Sequence, residues 1–147
     1  MQRTAELAAM VGLTAFDQAV KALTTGLTLT LIPGVVRLNY TQNTGFSLGL
    51  FSNGNTTALL LSMILLVLIW LYRRQLPDTS ALRFPLLLIC AGALGNVIDR
   101  LCLGYVRDMI ELLFIRFYVF NPADTYVTGG AILSAVALLR PDRKEKA

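Results

Sequence analysis

Four apolar stretches divide the chain, at residues 7–27, 58–72, 84–103 and 124–139. The second is uninterrupted, with Thr56 and Thr57 leading into ALLLSMILLVLIWLY. A helix crossing about 30 Å of hydrocarbon needs about 20 residues. The third and fourth stretches reach that length only by including an acid. Fifteen uncharged residues separate Arg83 from Asp99, and fifteen more separate Asp124 from Arg140. At a rise of about 1.5 Å per residue, such a run covers about 22 Å. Helices there must carry Asp99 and Asp124 at or inside a membrane boundary. Asp17, Gln18 and Lys21 interrupt the first stretch in the same way.

The segments between the apolar stretches follow other rules. Thr28-Leu29-Thr30-Leu31 alternates, Pro33-Gly34 marks a turn, and Val36, Leu38 and Tyr40 alternate with Arg37, Asn39 and Thr41. This pattern predicts a small β-hairpin lying on the membrane surface. Residues 109–120 are apolar and aromatic with Glu111 and Arg116 inserted, and Phe117, Tyr118 and Phe120 suit the headgroup interface. The expected fold is a membrane all-α, four-transmembrane-helix bundle with a small extracytoplasmic β-hairpin cradle, forming one domain over residues 1–147.

Composition supports this reading. Charged residues make up 15% and apolar residues 55% of the chain, and the mean hydropathy is +0.62; a soluble domain carries about 25% charged residues. The net charge of +4 comes from short clusters flanking the apolar runs: Arg73, Arg74 and Arg83, and the tail from Arg140 to Lys146. With Arg3, these loops hold eight of the thirteen basic residues, and positive loops face the cytoplasm. Both termini are then inside, and residues 28–55 and 104–121 are outside. No long basic stripe with interleaved aromatics points to nucleic acid. Arg3 and the apolar run to Phe16 resemble a secretory signal, but Asp17, Gln18 and Lys21 follow with no small-residue cleavage site, so a retained first span is expected.

The chain has no histidine and only two cysteines. A Ser-His-Asp triad, a Cys-His pair, a histidine metal site and a four-thiolate zinc site are therefore excluded. Cys90 and Cys102 would be about 18 Å apart along one helix, too far to bridge. Acid–base chemistry then falls to carboxylates, lysines, tyrosines or an external cofactor.

Position sorts the nine acids. Glu6, Asp78, Asp142 and Glu145 fall near the inner surface or in the tail. Asp17, Asp99, Asp108, Glu111 and Asp124 fall at the outer side, where intramembrane acids are costly and mark function. Asp17 and Lys21 are spaced i, i+4 and should pair on one helix face. Asp99 precedes Arg100 and is expected to pair with it or with another outer arginine. Glu111 lies four residues from Arg107 and is expected at the interface. Asp108 and Asp124 are left, one after the exit of the third helix and one at the entrance of the fourth. In Asn121-Pro122-Ala123-Asp124 the asparagine suits an N-cap and the proline the first helical position. Asp124 then lies where the helix dipole favours its ionised form, although a first-turn acid of this kind also occurs with no function. Gly92, Asn96 and Arg100 recur every four residues on one face. That face should point into the bundle, either to hold an extended peptide by its carbonyls or simply to pack helices through Gly92 and Gly95.

These strings, in order, resemble the lipoprotein signal peptidase family, also called signal peptidase II. The matching strings are Asp17-Gln18-Ala19-Val20-Lys21, Asn43-Thr44-Gly45-Phe46-Ser47, Gly92 to Arg100 with Gly104 to Asp108, and Phe120 to Asp124. Pro122 between Asn121 and Ala123, Met109 after Asp108, and a short segment after Gly45 depart from the family pattern. The resemblance implies an aspartyl peptidase of the bacterial inner membrane. It would cut the signal peptide from diacylglyceryl-modified prolipoproteins just before the lipidated cysteine, acting as a monomer without cofactor. It assigns catalysis to Asp108 and Asp124, substrate or dyad support to Asn43, Gly45, Asn96, Arg100 and Asn121, and structural support to Asp17, Lys21 and Asp99. Two other readings use the same residues. One is a small proton or solute transporter, against which the acids cluster at one membrane face with no path inward. The other is a catalytically silent lipopeptide-binding paralogue, which would be free to lose an aspartate that this chain keeps.

The charge pattern makes a topological prediction. In a background lacking Cys90 and Cys102, Asn53→Cys should label from outside intact cells and Thr79→Cys only after permeabilisation. External labelling at position 79 would overturn the orientation.

Overall fold

The structure, a computed structural model, describes residues 2–45, 54–76 and 79–139. Phe46, Ser47, Asn53, Asp78 and the 140–147 tail, with its Asp142, Glu145 and basic cluster, lie outside the described residues. Seven elements follow in order: α1 (Gln2–Thr24), β1 (Thr28–Ile32), β2 (Val36–Asn43), α2 (Gly54–Tyr72), α3 (Ser80–Leu103), β3 (Val106–Leu112) and α4 (Pro122–Leu139). The four apolar stretches thus become four helices. Three of them, α2, α3 and α4, are long and apolar enough to cross a membrane.

α3 is the hub, and α1, α2 and α4 all pack against it. A constant sequence offset shows that α1 runs parallel to α3. Thr14 Oγ1 donates to the Ala91 carbonyl (3.2 Å) and Gln18 Nε2 to the Gly95 carbonyl (3.0 Å), each 77 residues away. Glu6 and Arg83, also 83 − 6 = 77 apart, pair at 3.5 Å, so Glu6 is partnered. α4 runs antiparallel to α3 along a seam of small residues. A Cβ on Gly92 would collide with the Ala123 carbonyl oxygen, and one on Gly130 would come within 2.6 Å of the Pro85 carbonyl. Gly95 instead admits Asp17, whose Oδ2 lies 2.5 Å from where a Cβ would be. The Gly92 face therefore packs helices, while Asn96 and Arg100 line a groove.

Polarity in α1 is inverted relative to a soluble helix. Thr14, Asp17, Lys21 and Thr24 are buried, while Leu7, Val11, Phe16 and Leu23 are exposed. α2 buries none of its residues. Apolar side chains that face outward in this way suit a hydrocarbon surround.

The hairpin forms as expected, with Leu29 opposite Leu38 and Thr28 opposite Asn39. A third strand joins it, giving an antiparallel sheet in the order β1-β2-β3. β3 occupies the start of the segment expected to be wholly interfacial. Its cause is local: Gly104, at φ +80°, closes α3 with a left-handed residue whose N–H reaches the Arg100 carbonyl. The chain then doubles back beside the helix it has just left. Glu111 pairs with Arg37 (2.8 Å) directly across the sheet. Cys90 and Cys102 are both free thiols.

The α3–α4 seam predicts a contrast between two glycines. Gly92→Ala should destabilise the protein by about 1–3 kcal/mol through overpacking and slow any reaction that depends on Asp124, one residue beyond Ala123. A Cβ at Gly129 meets nothing within 4 Å, so Gly129→Ala should be neutral or gain a few tenths of a kcal/mol of helix propensity. Thermal unfolding in detergent measures both, and equal loss from the two variants would contradict the seam.

Candidate active site

The site begins with a buried lysine. Lys21 Nζ lies 2.9 Å from Asp17 Oδ2 and 3.6 Å from Asp99 Oδ2, and all three side chains are fully inaccessible. The expected Asp17–Lys21 pair is present. Asp99 pairs with Arg107 rather than Arg100: Arg107 Nη2 reaches Asp99 Oδ1 at 2.7 Å, and its Nε and backbone N–H reach Oδ2 at 3.2 and 3.0 Å. Arg107 Nη2 also donates to Gln18 Oε1 (2.8 Å), and Gln18 Nε2 donates to Asp99 Oδ1 (3.1 Å). α1, the end of α3 and the start of β3 are thereby locked together one residue before Asp108. Asp99 thus takes the second of its two expected partners, another outer arginine, which the reversal at Gly104 brings back to it; the part played by Gln18 was not visible in the sequence.

Lys21 has one further partner, Asn96 Oδ1, at 2.9 Å. An ammonium only donates, so it fixes which end of the Asn96 amide faces it. The Asn96 Nδ2 is thereby directed to Asp124 Oδ1 (2.8 Å). Asp124 occupies the first turn of α4, with Asn121 as its cap. Asn121 Oδ1 accepts from the Asp124 N–H (2.9 Å), and Asp124 Oδ2 accepts from the Asn121 N–H (3.2 Å). This is a reciprocal capping box with aspartate in the acidic position. The remaining free N–H of the turn, on Ala123, donates to Asp17 Oδ1 (2.9 Å), and Pro122 has none to satisfy.

Asn121 also links the second acid. Its Nδ2 donates to Asp108 Oδ1 (2.6 Å) and to Asn96 Oδ1 (3.3 Å). Asp108 lies opposite Thr41 across β2 and β3, so Asn43, two residues on, shares its face. Asn43 Nδ2 donates to Asp108 Oδ2 (3.0 Å), while Asn43 Oδ1 accepts from the Gly45 N–H (3.1 Å). Gly45 has φ +129° and approaches the Gly54 backbone too closely for any Cβ. Burial first, and then the Asp124 charge, push the Asp108 carboxyl up to about 6, against the opposing hydrogen bonds from Asn43 and Asn121. Asp108 is 2% exposed.

Asp124, Asn96 and Arg100 open onto a groove of about 460 Å³ walled by Ala58, Leu61 and Leu65 of α2 and Val127 of α4. Arg100 makes no hydrogen bond or ion pair among the described residues, and its buried Nε is unsatisfied. The expected site residues thus come together at one end of the helices. Asp17, Lys21 and Asp99 lie beneath, Asn96 and Asn121 between, Asp108 and Asp124 above, and Arg100 is free to bind. No three potential metal-ligand side chains gather among the described residues. A buried carboxylate and a half-buried one, joined through one asparagine beside an apolar groove in a membrane bundle, define an aspartic hydrolase of the membrane.

Comparison with known proteins gives the family. Residues 9–140 match the model for signal peptidase (SPase) II. The lipoprotein signal peptidase of Streptococcus thermophilus is 35% identical over 97% of each chain. That of Streptococcus pneumoniae is 36% identical over 76% of this chain and 73% of its own. A bacterial membrane enzyme solved in meso at 2.3 Å superposes with a TM-score of 0.84 at 29% identity, over 98% of this chain and 94% of that one. A second, solved at 1.9 Å, gives 0.82 at 28% identity, over 93% of this chain and 94% of that one. The chain belongs to the signal peptidase II family. It is an aspartic endopeptidase that removes signal peptides from prolipoproteins.

The raised Asp108 carboxyl has a measurable consequence. The folded protein keeps a proton that the unfolded chain releases between about pH 3.8 and 6. Stability therefore falls as pH rises through that window. Thermal unfolding in detergent should show the wild type losing about 1–3 kcal/mol more than Asp108→Asn between pH 4 and 7.5. Parallel pH profiles for the two proteins would place the proton elsewhere.

Proposed function

We propose that Asp108 and Asp124 are the catalytic dyad and that cleavage occurs just before the diacylglyceryl-modified cysteine. The observation that carries this is Asn121, which donates to both carboxyls at once, its amide to Asp108 and its backbone N–H to Asp124. At rest the pair shares one proton, because two adjacent carboxylates do not both ionise cheaply. Asp124, in the first turn of α4 where the helix dipole favours an anion, is the ionised partner, and Asp108 carries the proton. Asp124 takes a proton from a water molecule as its oxygen adds to the scissile carbonyl carbon, and Asp108 protonates the carbonyl oxygen. Asp124 then gives its proton to the amide nitrogen while a hydroxyl of the gem-diol returns one to Asp108. The C–N bond breaks, releasing the signal peptide as a carboxylic acid and the modified cysteine as a free amine.

Arg100 binds substrate carbonyls through its planar fork of donors, which no side chain in the described residues occupies. Asn96 serves the dyad rather than the peptide, since its amide is already committed to Asp124 and Lys21. The single domain spans the cytoplasmic membrane four times as a monomer with both termini inside. α1 is the fourth span, its charges neutralised inward and its apolar side chains turned outward. The parallel run of α1 and α3 supports this topology, because helices one and three must cross in the same direction.

The test is a gel-shift assay with a diacylglyceryl-modified prolipoprotein and folded, inserted variants. Asp108→Asn and Asp124→Asn should each lose at least about 10³-fold in rate, and near-normal cleavage by either would sink the mechanism. Asp78→Asn and Asp142→Asn should stay within about twofold of the wild type. Arg100→Ala should cost about 10²-fold and Arg116→Ala almost nothing, with Arg100→Lys restoring little.

A further inference from the structure

The two acids do not open onto the same space. Asp124 lines the apolar groove between α2, α3 and α4, and Asp108 does not. Asp108 lines a second recess, of about 410 Å³, that Asp124 does not reach. The two spaces meet at Asn43, Gly45 and Tyr118, which line both. The dyad is therefore built into a partition, with one carboxyl on each side.

The walls of the recess differ in kind from those of the groove. Thr41, Gln42 and Thr44 supply one side and Phe117 and Val119 the other. Thr41, Gln42, Thr44 and Phe117 are all exposed. The Gln42 amide makes only a long contact (3.4 Å) to the Tyr40 hydroxyl, and Thr44 makes no side-chain hydrogen bond among the described residues. β2 has also lost one neighbour here. The last β1 pairing is Thr28 with Asn39, followed by a bond from the Tyr40 N–H to the Leu27 carbonyl, so Thr41 to Asn43 face β3 on one side only. Unspent donors, acceptors and a strand with an open side suit an extended polar peptide backbone.

We infer that this recess is a mature-side subsite, holding the first few residues that follow the modified cysteine, while the signal peptide occupies the apolar groove. The inference rests on Asp108 and Asp124 being the dyad. A bond placed between them has one substrate arm on each side of the partition. The apolar arm matches Ala58, Leu61, Leu65 and Val127, and the polar arm matches Thr41, Gln42 and Thr44. Binding energy from the polar arm is then available to the cleavage step, so the enzyme reads the mature protein as well as the leader.

The experiment compares two lipopeptides with the same signal sequence and diacylglyceryl cysteine. One ends in an amide at the cysteine, and the other continues for four polar residues. The wild type should cut the extended peptide with a kcat/KM about tenfold or more above the truncated one. In Gln42→Ala/Phe117→Ala that ratio should fall to within about twofold of unity. A photo-crosslinker on the third residue after the cysteine should attach within residues 41–44 or 117–119. A wild-type ratio near one, a ratio unchanged in the double variant, or crosslinks to α2 would each overturn the subsite while leaving the dyad intact. Near-normal cleavage of either peptide by Asp108→Asn or Asp124→Asn would overturn the dyad reading and the subsite with it.

Discussion

The site depends on satisfying the Lys21 ammonium in an interior where its side chain is fully inaccessible. An isolated buried charge costs several kcal/mol, and its attraction to partners offsets this only when the geometry is close and its donors are used. Here Nζ meets Asp17, Asp99 and the Asn96 carbonyl oxygen. Two carboxylates around one ammonium would leave an excess negative charge, and Arg107 compensates it from β3. The cluster is therefore not local to α1. It requires α3 to bring Asp99 and Asn96, and β3 to return after Gly104 and bring Arg107. Satisfying one lysine fixes the relative positions of three elements, and two of those, α3 and β3, carry Asn96 and Asp108.

The same cluster reaches Asp124 through Asn96 and through the first turn of α4. Because Lys21 can only donate, Asn96 cannot flip its amide without opposing two donors, and Asp124 keeps an N–H partner. Because Asp17 spends its other oxygen on the Ala123 N–H, the N-terminus of α4 is anchored to α1. Gly92 and Gly95 allow this closeness, one toward Ala123 and one toward Asp17. Polar groups thus do in the interior of this bundle what apolar contacts do in a soluble core. Helix association in lipid gains nothing from hiding apolar surface and relies instead on close backbone approach and hydrogen bonds.

Much of this was legible in the chain. The four helices, the hairpin, the Asn121 cap and the pairing of Asp17 with Lys21 follow from spacing alone, since helix and strand periodicity act over a few residues. The interval between Arg83 and Asp99 already required an acid near the membrane boundary. What spacing could not show was any partner created by a reversal. Glu111 found Arg37 across a strand that the apolar run 109–120 concealed. Asp99 turned from its neighbour Arg100 to Arg107, because a helix points adjacent residues about 100° apart while the Gly104 turn brings residue 107 back. Gly92 shares a stripe with Asn96 and Arg100 yet meets α4, since a helix at a three-way junction divides one stripe between two neighbours.

Under the proposed mechanism, the backbone position of each aspartate would let two chemically identical side chains take opposite parts. Asp124 is in the first turn of a helix, where an N–H donor and the dipole both favour the anion. Asp108 is on a strand, where its donors are side-chain amides from Asn43 and Asn121, and burial raises it to about 6. Asparagine at position 121 is what joins the two environments. Its carbonyl oxygen caps the Asp124 N–H and its amide nitrogen meets Asp108, so both polar ends are used and neither is charged. Serine would keep the cap and lose Asp108, and aspartate would keep the cap but set a third carboxyl, with no N–H to donate, against Asp108. A neutral group with a donor at one end and an acceptor at the other is required, and of the residues suited to an N-cap only asparagine has both at this length.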